Sequence, residues 1–415
     1  MIDKILLFPY WLTLKLRHFF YDSGLKKVSK ADVPTICIGN ITVGGTGKTP
    51  HTEMLLRTLL QDEEWGGKNI AVLSRGYKRK TKGFQQVTSD GSAIAYGDEP
   101  LQIKKKFPGV TVAVDSSRVE GCDFLVYPEK LETSKKGRKC IDKNLAASDL
   151  IILDDAFQHR ALKPTLSIVL VDYNRPVFND HLLPLGKLRD LPGRIAAADI
   201  VIVSKCPNEV NAWDKCTWAE NLGIRNFDAS SCSGTRRNGK KQYLFFSTIT
   251  YDTAEAIFPE GNPRYIYTNR LILFSGIAND APLLSYLSSN YKIVRHFRFP
   301  DHHKFSKGDM NTIASAAREF PTAVIMTTEK DCQRVRDCHK IKEELKQRMF
   351  YSPIKTVFLT ENERENFIAA LKAGNVDCVI IDNQPAKSFV AANDGIHILE
   401  GENEYAVEDY AICVK

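Results

Sequence analysis

Short apolar runs rich in β-branched residues recur along the chain, each closed by turn residues and followed by a longer stretch whose apolar positions repeat at helical spacing. That alternation predicts strands joined by crossover helices, and hence a parallel sheet. The runs fall at Thr35 to Ile38, Ile70 to Leu73, Thr111 to Val114, Leu150 to Leu153, Leu166 to Val171 and Ile200 to Val203, then at Leu271 to Phe274, Ala323 to Met326 and Thr356 to Leu359. The first six make one doubly wound unit. A polar region, Asn208 to Lys241, separates them from the later group, and Tyr243 to Tyr251 reads as a connecting antiparallel ribbon. The predicted class is α/β, a doubly wound parallel-sheet domain with a second, smaller α/β domain. The predicted divisions are an N-terminal helix over 1–24, a first domain over 25–207 with its boundary near Cys206, a second over 208–360, and a C-terminal extension over 361–415. The extension holds weak strand candidates at Cys378 to Asp382 and Ile396 to Leu399.

The opening residues, MIDKILLFPYWLTLKLRHFF, mix aromatic and aliphatic side chains with Lys15, Arg17 and His18, and contain no uninterrupted spanning stretch. They read either as a segment lying in a membrane interface, rings at headgroup level and cations on anionic lipid, or as a first helix packed on the protein's own core. A composition of 43% hydrophobic and 26% charged residues is that of a soluble globular protein, which argues against a largely disordered chain or a polytopic membrane protein. The net charge of +7 gathers in runs such as Lys78-Arg79-Lys80, Lys104-Lys105-Lys106 and Lys135-Lys136-Gly137-Arg138-Lys139. Such runs are solvated faces or attractors of phosphate, whether on a nucleotide or on an anionic membrane. Ten cysteines without a CxxC pair support neither a zinc site nor a disulfide framework.

The strand Thr35 to Gly39 runs directly into Asn40-Ile-Thr-Val-Gly-Gly-Thr-Gly-Lys-Thr49, with a helical pattern after Pro50. Strand, glycine loop and helix in that order form a P-loop, in which loop amides and a helix N-terminus converge on phosphates. Gly44, Gly45, Thr46 and Gly47 would wrap the phosphates, Lys48 would reach the terminal ones, and the Thr49 hydroxyl would ligate magnesium. Thr42 stands where the general pattern has glycine. The run Asp149 to Asp155 is a buried strand ending in two carboxylates, Asp154 and Asp155, at the sheet edge where a cation bridging two phosphates is held. Phosphoryl transfer to an alcohol also needs a group for the hydroxyl proton. Three stretches offer one: Gly97-Asp98-Glu99-Pro100, Phe157-Gln158-His159-Arg160, and Phe299 to His303. Composition does not rank them, and each also reads as a cap, a turn or a surface histidine.

Taken together, the motifs resemble one family, the tetraacyldisaccharide 4′-kinases of lipid A biosynthesis. They are GNITVGGTGKTP at Gly39 to Pro50, SRGY at Ser74 to Tyr77, GDEP at Gly97 to Pro100, DDAFQH at Asp154 to His159, LLPLGKLRD at Leu182 to Asp190, PDHHKF at Pro300 to Phe305 and TTEKD at Thr327 to Asp331. The resemblance covers about residues 1 to 360 and includes Thr42. It implies a peripheral or monotopic kinase on the cytoplasmic face of the bacterial inner membrane. Such an enzyme uses ATP and Mg2+ to phosphorylate the 4′ position of the lipid A disaccharide 1-phosphate precursor, and no nucleic-acid partner is implied. It also implies that Asp98 takes the 4′-hydroxyl proton with support from His302, and that Lys48, Thr49, Asp154 and Asp155 serve phosphate and magnesium. Tyr77, Arg118, His159, Arg189 and Asp190 would face the disaccharide lipid, and the N-terminal helix would be the membrane contact. The chain departs from the family's usual glycine at Ala156 and glutamate at Asp190, and carries an insertion around Tyr127 to Ala146.

Two other readings compete. A regulatory or metal-delivery ATPase shares the GGTGKT loop, but commonly has lysine where Val43 stands, and a GTPase would want NKxD where Ser204-Lys205-Cys206-Pro207 follows a strand. A membrane-surface module with structural ATP rests only on the basic runs and the N-terminal segment.

Overall fold

The fold is that of a computed structural model, which describes residues 2–301, 303–338, 341–375, 378–382, 397–399 and 410–414. Two compact units divide the chain, Met1–Glu363 and Arg364–Lys415.

The first unit is built on an 11-stranded sheet. Its strands are β1 (Thr35–Asn40), β2 (Ile70–Ser74), β3 (Gln85–Gln86), β4 (Thr111–Val114), β5 (Leu150–Asp154), β6 (Leu166–Asp172), β7 (Ile200–Ser204), β8 (Arg225–Asp228), β9 (Ser233–Thr235) and β10 (Lys241–Tyr251), with one late strand added below. The order is β3-β4-β2-β5-β1-β6-β7-β10-β9-β8. The six strands from β4 to β7 in that order are mutually parallel. Of these, β1, β2, β5, β6 and β7 are buried along their whole length, which is why they read as unbroken Val/Ile/Leu runs.

A second, five-stranded sheet has the order β11-β15-β14-β12-β13. It comprises β11 (Glu255–Ala256), β12 (Arg270–Ser275), β13 (Lys292–Arg298), β14 (Val324–Thr328) and β15 (Met349–Ser352). The chain then returns through β16 (Ile354–Phe358), which pairs antiparallel with β10. The sequence run Thr356 to Leu359 therefore edges the first sheet and is not part of the second.

The boundary expected near Cys206 falls inside the first sheet. Beyond it, β10 lies parallel to β7 through Tyr243 to Phe246, and only its outer half, Ser247 to Tyr251, forms an antiparallel ribbon with β16. The second unit carries an antiparallel sheet of β17 (Cys378–Asp382), β18 (His397–Leu399) and β19 (Tyr410–Val414) in the order β17-β19-β18.

Candidate active site

Strand β1 ends at Asn40 and the next helix, Lys48–Gln61, starts after a gap of seven residues, so 41–47 form the loop that the GGTGKT motif predicts. Gly47 caps that helix at φ 84°, a left-handed conformation that costs glycine nothing. Side chains brace the loop from beneath. Asn40 Nδ2 donates to Thr46 Oγ1 at 2.7 Å, and Ser204 Oγ at the end of β7 donates to the Thr46 carbonyl at 2.9 Å. His51 sits one turn into the helix, its Nδ1 2.7 Å from the Gly47 carbonyl and its Nε2 2.9 Å from Ser247 Oγ on β10. A carbonyl only accepts, so Nδ1 carries the proton. Burial pushes the imidazole down to about 4 and keeps it neutral.

Because β5 lies beside β1, Asp154 and Asp155 emerge next to this loop. Asp154 is buried and accepts from Thr52 Oγ1 and Ser74 Oγ, each at 3.3 Å. Burial, with the Glu99 and Asp155 charges, pushes its carboxyl up to about 7. Asp155 behaves oppositely. Burial pushes it up too, but Lys48, Arg189 and Arg118 outweigh that and hold it below the usual carboxylate range. Its Oδ1 lies 3.8 Å from Lys48 Nζ, and the Arg189 fork takes both of its oxygens. Its backbone adopts φ 49°, uncommon for a non-glycine residue.

The donor set fits a hard divalent cation: the Thr49 hydroxyl and two carboxylates, one of them pushed toward its neutral form by burial among like charges. Among the described residues no three His, Cys, Asp or Glu side chains gather into a metal-holding group.

Asp98 opens the helix Asp98–Lys106 after Gly97, whose φ of 97° again demands glycine. It lines a cavity of about 260 Å³ with Tyr77, Lys78 and Lys80 from the first sheet's loops, and Lys304, Phe305 and Arg334 from the second lobe. Arg334 grips Asp98, Nε and Nη2 reaching Oδ2 at 2.9 and 2.8 Å. Of the two acids in GDEP, Glu99 is close enough to act on Asp154. His302 lies outside the described residues. Its neighbour His303 stacks on Phe299 and reaches Asp309 Oδ2 at 3.0 Å.

The five residues expected to face the disaccharide divide. Tyr77 is exposed at the cavity, His159 is half-buried on the turn after β5, and Arg189 stands over Asp155. Burial, with Arg118, Arg17 and Arg75, pushes His159 down. Arg118 and Asp190 do not face open space: they are 2% and 1% exposed. Arg118 donates to the backbone carbonyls of Asp115, Asp154 and Asp155, bracing the carboxylate turn from below. Asp190 turns toward the N-terminal helix, Ile2–Asp22, and meets His18 Nε2 at 2.7 Å. The same helix sends the Tyr10 hydroxyl to the Arg189 carbonyl at 3.0 Å and Arg17 to the Gln158 carbonyl at 2.5 Å.

Sequence reasoning missed Arg334, and with it the buried Glu53 one turn past Thr49, which accepts from Gln102 and Lys106. The i to i+3 step from Asp331 to Arg334 was the available signal, since helical spacing puts both on one face.

Residues 4–373 match the family model described as tetraacyldisaccharide-1-P 4′-kinase. A tetraacyldisaccharide 4′-kinase of Phocaeicola vulgatus is 37% identical over 354 residues, 84% of this chain and 88% of the relative. The one from Flavobacterium johnsoniae is 35% identical over 367 residues, 87% of this chain and 94% of the relative. A crystal structure of LpxK from Aquifex aeolicus in complex with ATP superposes with a TM-score of 0.62 at 25% identity, covering 91% of this chain and 100% of that one. Motif, fold and relatives agree, and the chain belongs to the tetraacyldisaccharide-1-P 4′-kinase family.

Proposed function

We propose that this chain transfers the γ-phosphoryl group of ATP to the 4′-hydroxyl of a tetraacylated glucosamine disaccharide 1-phosphate in lipid A biosynthesis. The observation that carries this reading is the emergence of the P-loop and the Asp154–Asp155 turn side by side at the ends of β1 and β5, with the Asp98 helix near enough for Glu99 to act on Asp154. The loop amides from Gly44 to Lys48 bind the triphosphate. Lys48 follows the moving phosphoryl group and stabilises its charge. Mg2+, held by Thr49 with Asp154 or Asp155, would neutralise charge on the β- and γ-phosphates. Asp98 accepts the acceptor's proton, with His302 in support, and Tyr77, His159 and Arg189 orient the sugar and its anionic groups. Arg118 and Asp190 act on the lipid indirectly, by shaping the wall that carries Arg189.

The N-terminal helix makes the membrane contact in this reading. Its inner face is stitched to the site, whereas Phe8, Trp11, Leu12, Leu16, Phe19 and Phe20 are exposed. No described helix is long and apolar enough to cross a bilayer; the proposed contact is an interfacial one, on the cytoplasmic face where ATP is found.

The test is incubation of the purified chain with γ-labelled ATP and the disaccharide 1-phosphate lipid, with Mg2+ or with chelator. Label appearing in lipid only with Mg2+ supports the kinase. Lipid-independent release of inorganic phosphate would instead favour the regulatory ATPase.

A further inference from the structure

The TTEKD motif has no place in the chemistry above, yet its residues build one object. Thr328 caps the helix Glu329–Arg336 by accepting from the Asp331 amide, and its hydroxyl donates to Asp331 Oδ2 at 2.7 Å. The same Asp331 oxygen accepts from the Gly276 amide at 2.8 Å, which leaves Oδ1 for Arg334 Nη1 at 2.9 Å. Arg334 Nη1 also reaches the Gly276 carbonyl at 3.2 Å. A guanidinium anchored on one edge presents its other edge, Nε and Nη2, to Asp98 Oδ2.

This helix packs on Asp98–Lys106 and is bonded to it at several points. Lys330 lies 3.9 Å from Glu99, Lys105 Nζ donates to Gln333 at 3.0 Å, and Lys106 pairs with Glu329. Lys106 also reaches Glu53 of the P-loop helix at 2.7 Å. The second lobe is thus tied at one end to Asp98 and at the other to the helix that follows the phosphate loop.

We propose that Arg334 is a positioning residue for Asp98: its fork, held by Asp331, sets the orientation of that carboxylate in the cavity and keeps it ionised for the acceptor hydroxyl. This rests on the reading of Asp98 as the base. An opposite charge at this distance lowers a carboxyl's proton affinity, and a rigid planar donor whose two nitrogens converge on Oδ2 fixes the place of that oxygen, which a lysine's point charge does not. The other charged groups around Asp98 are Glu99 on its own helix, Lys330, Asp331 and Asp337 on or beside the Glu329–Arg336 helix, Lys78 and Lys80 after β2, and Lys304 after β13. His302 lies outside the described residues.

The experiment measures kcat and kcat/KM for Arg334→Gln and Arg334→Lys between about pH 3.5 and 9, beside Asp98→Asn. Arg334→Gln is expected to move the acid limb of kcat/KM up by about one pH unit or more, so that part of the lost activity returns at high pH. Arg334→Lys is expected to keep the limb in place but lose about tenfold in kcat, for want of the second prong. An acid limb that stays put in Arg334→Gln overturns the proposal and makes the residue a strut between lobes. If Arg334→Gln does not fold, Arg334→Lys decides: kcat equal to wild type overturns the proposal, and a kcat loss with the limb in place supports it. Wild-type turnover in Asp98→Asn would sink the base assignment itself, a result distinguishable from a failure of Arg334 alone.

Discussion

Two carboxylates, Asp98 and Asp154, have contrasting surroundings, and the proposed reading gives them different tasks. Asp98 opens a helix and is gripped there by an arginine, a partner of opposite charge. Replacing it should remove a positioned base while leaving the phosphate loop intact. Asp98→Ala is therefore expected to lower turnover by about a hundredfold or more with little change in ATP affinity, measured by steady-state kinetics and nucleotide titration. Asp154 is the reverse case. Its carboxyl stands at about 7 in the fold against 3.8 in an unfolded chain, so the folded protein binds the proton more tightly. Below about pH 4 both states are protonated and nothing is lost; as pH rises toward 7 the buried group must ionise, and stability falls. Asp154→Asn should consequently raise the Tm of the ligand-free protein at about pH 8, not at about pH 4, while abolishing turnover. A thermal melt at the two pH values checks it, and equal effects at both would show that the burial penalty is not electrostatic.

At the scale of elements, the N-terminal helix has two faces with separate duties. Tyr10, Arg17 and His18 bind the loops that carry Arg189, Asp190 and Gln158, so deleting the helix would strip the wall of the site as well as any membrane contact. Changing only the outer face separates the two. With Phe8, Trp11, Leu16 and Phe19 replaced by serine, sedimentation with anionic vesicles should be lost while turnover on detergent-dispersed lipid is retained. Retained vesicle binding would move the membrane contact elsewhere on the molecule.

The elements also show what the sequence makes readable. The six central parallel strands were legible because burial on both faces writes them as continuous apolar runs. Strand β13, KIVRHFR, was not, since it lies at a sheet edge where charged residues alternate with apolar ones. The run Tyr243 to Tyr251 was read as ribbon alone because a strand that changes partner midway leaves no trace in its own periodicity. Phosphate loop and carboxylate turn were legible because their residues are close in sequence. The Arg334–Asp98 pair spans 236 positions, and the burial of Arg118 and Asp190 depends on neighbours equally remote.

For the molecule as a whole, the second lobe supplies part of the wall of the Asp98 cavity. Strand β10 belongs to the first sheet through β7 and leads out toward the second through the β16 ribbon, while the Glu329–Arg336 helix reaches back to Asp98. One face gathers Lys78 and Lys80 at the cavity, in keeping with an anionic substrate drawn from an anionic surface. The account's central claim is that this cavity presents one sugar hydroxyl to one phosphoryl group. Its most direct test is 31P–1H correlated NMR of the lipid product formed from ATP, Mg2+ and the disaccharide 1-phosphate. The account predicts a second phosphomonoester coupled to the 4′ proton; a phosphorus coupled to any other sugar proton, or ATP consumed with the lipid unchanged, would contradict it.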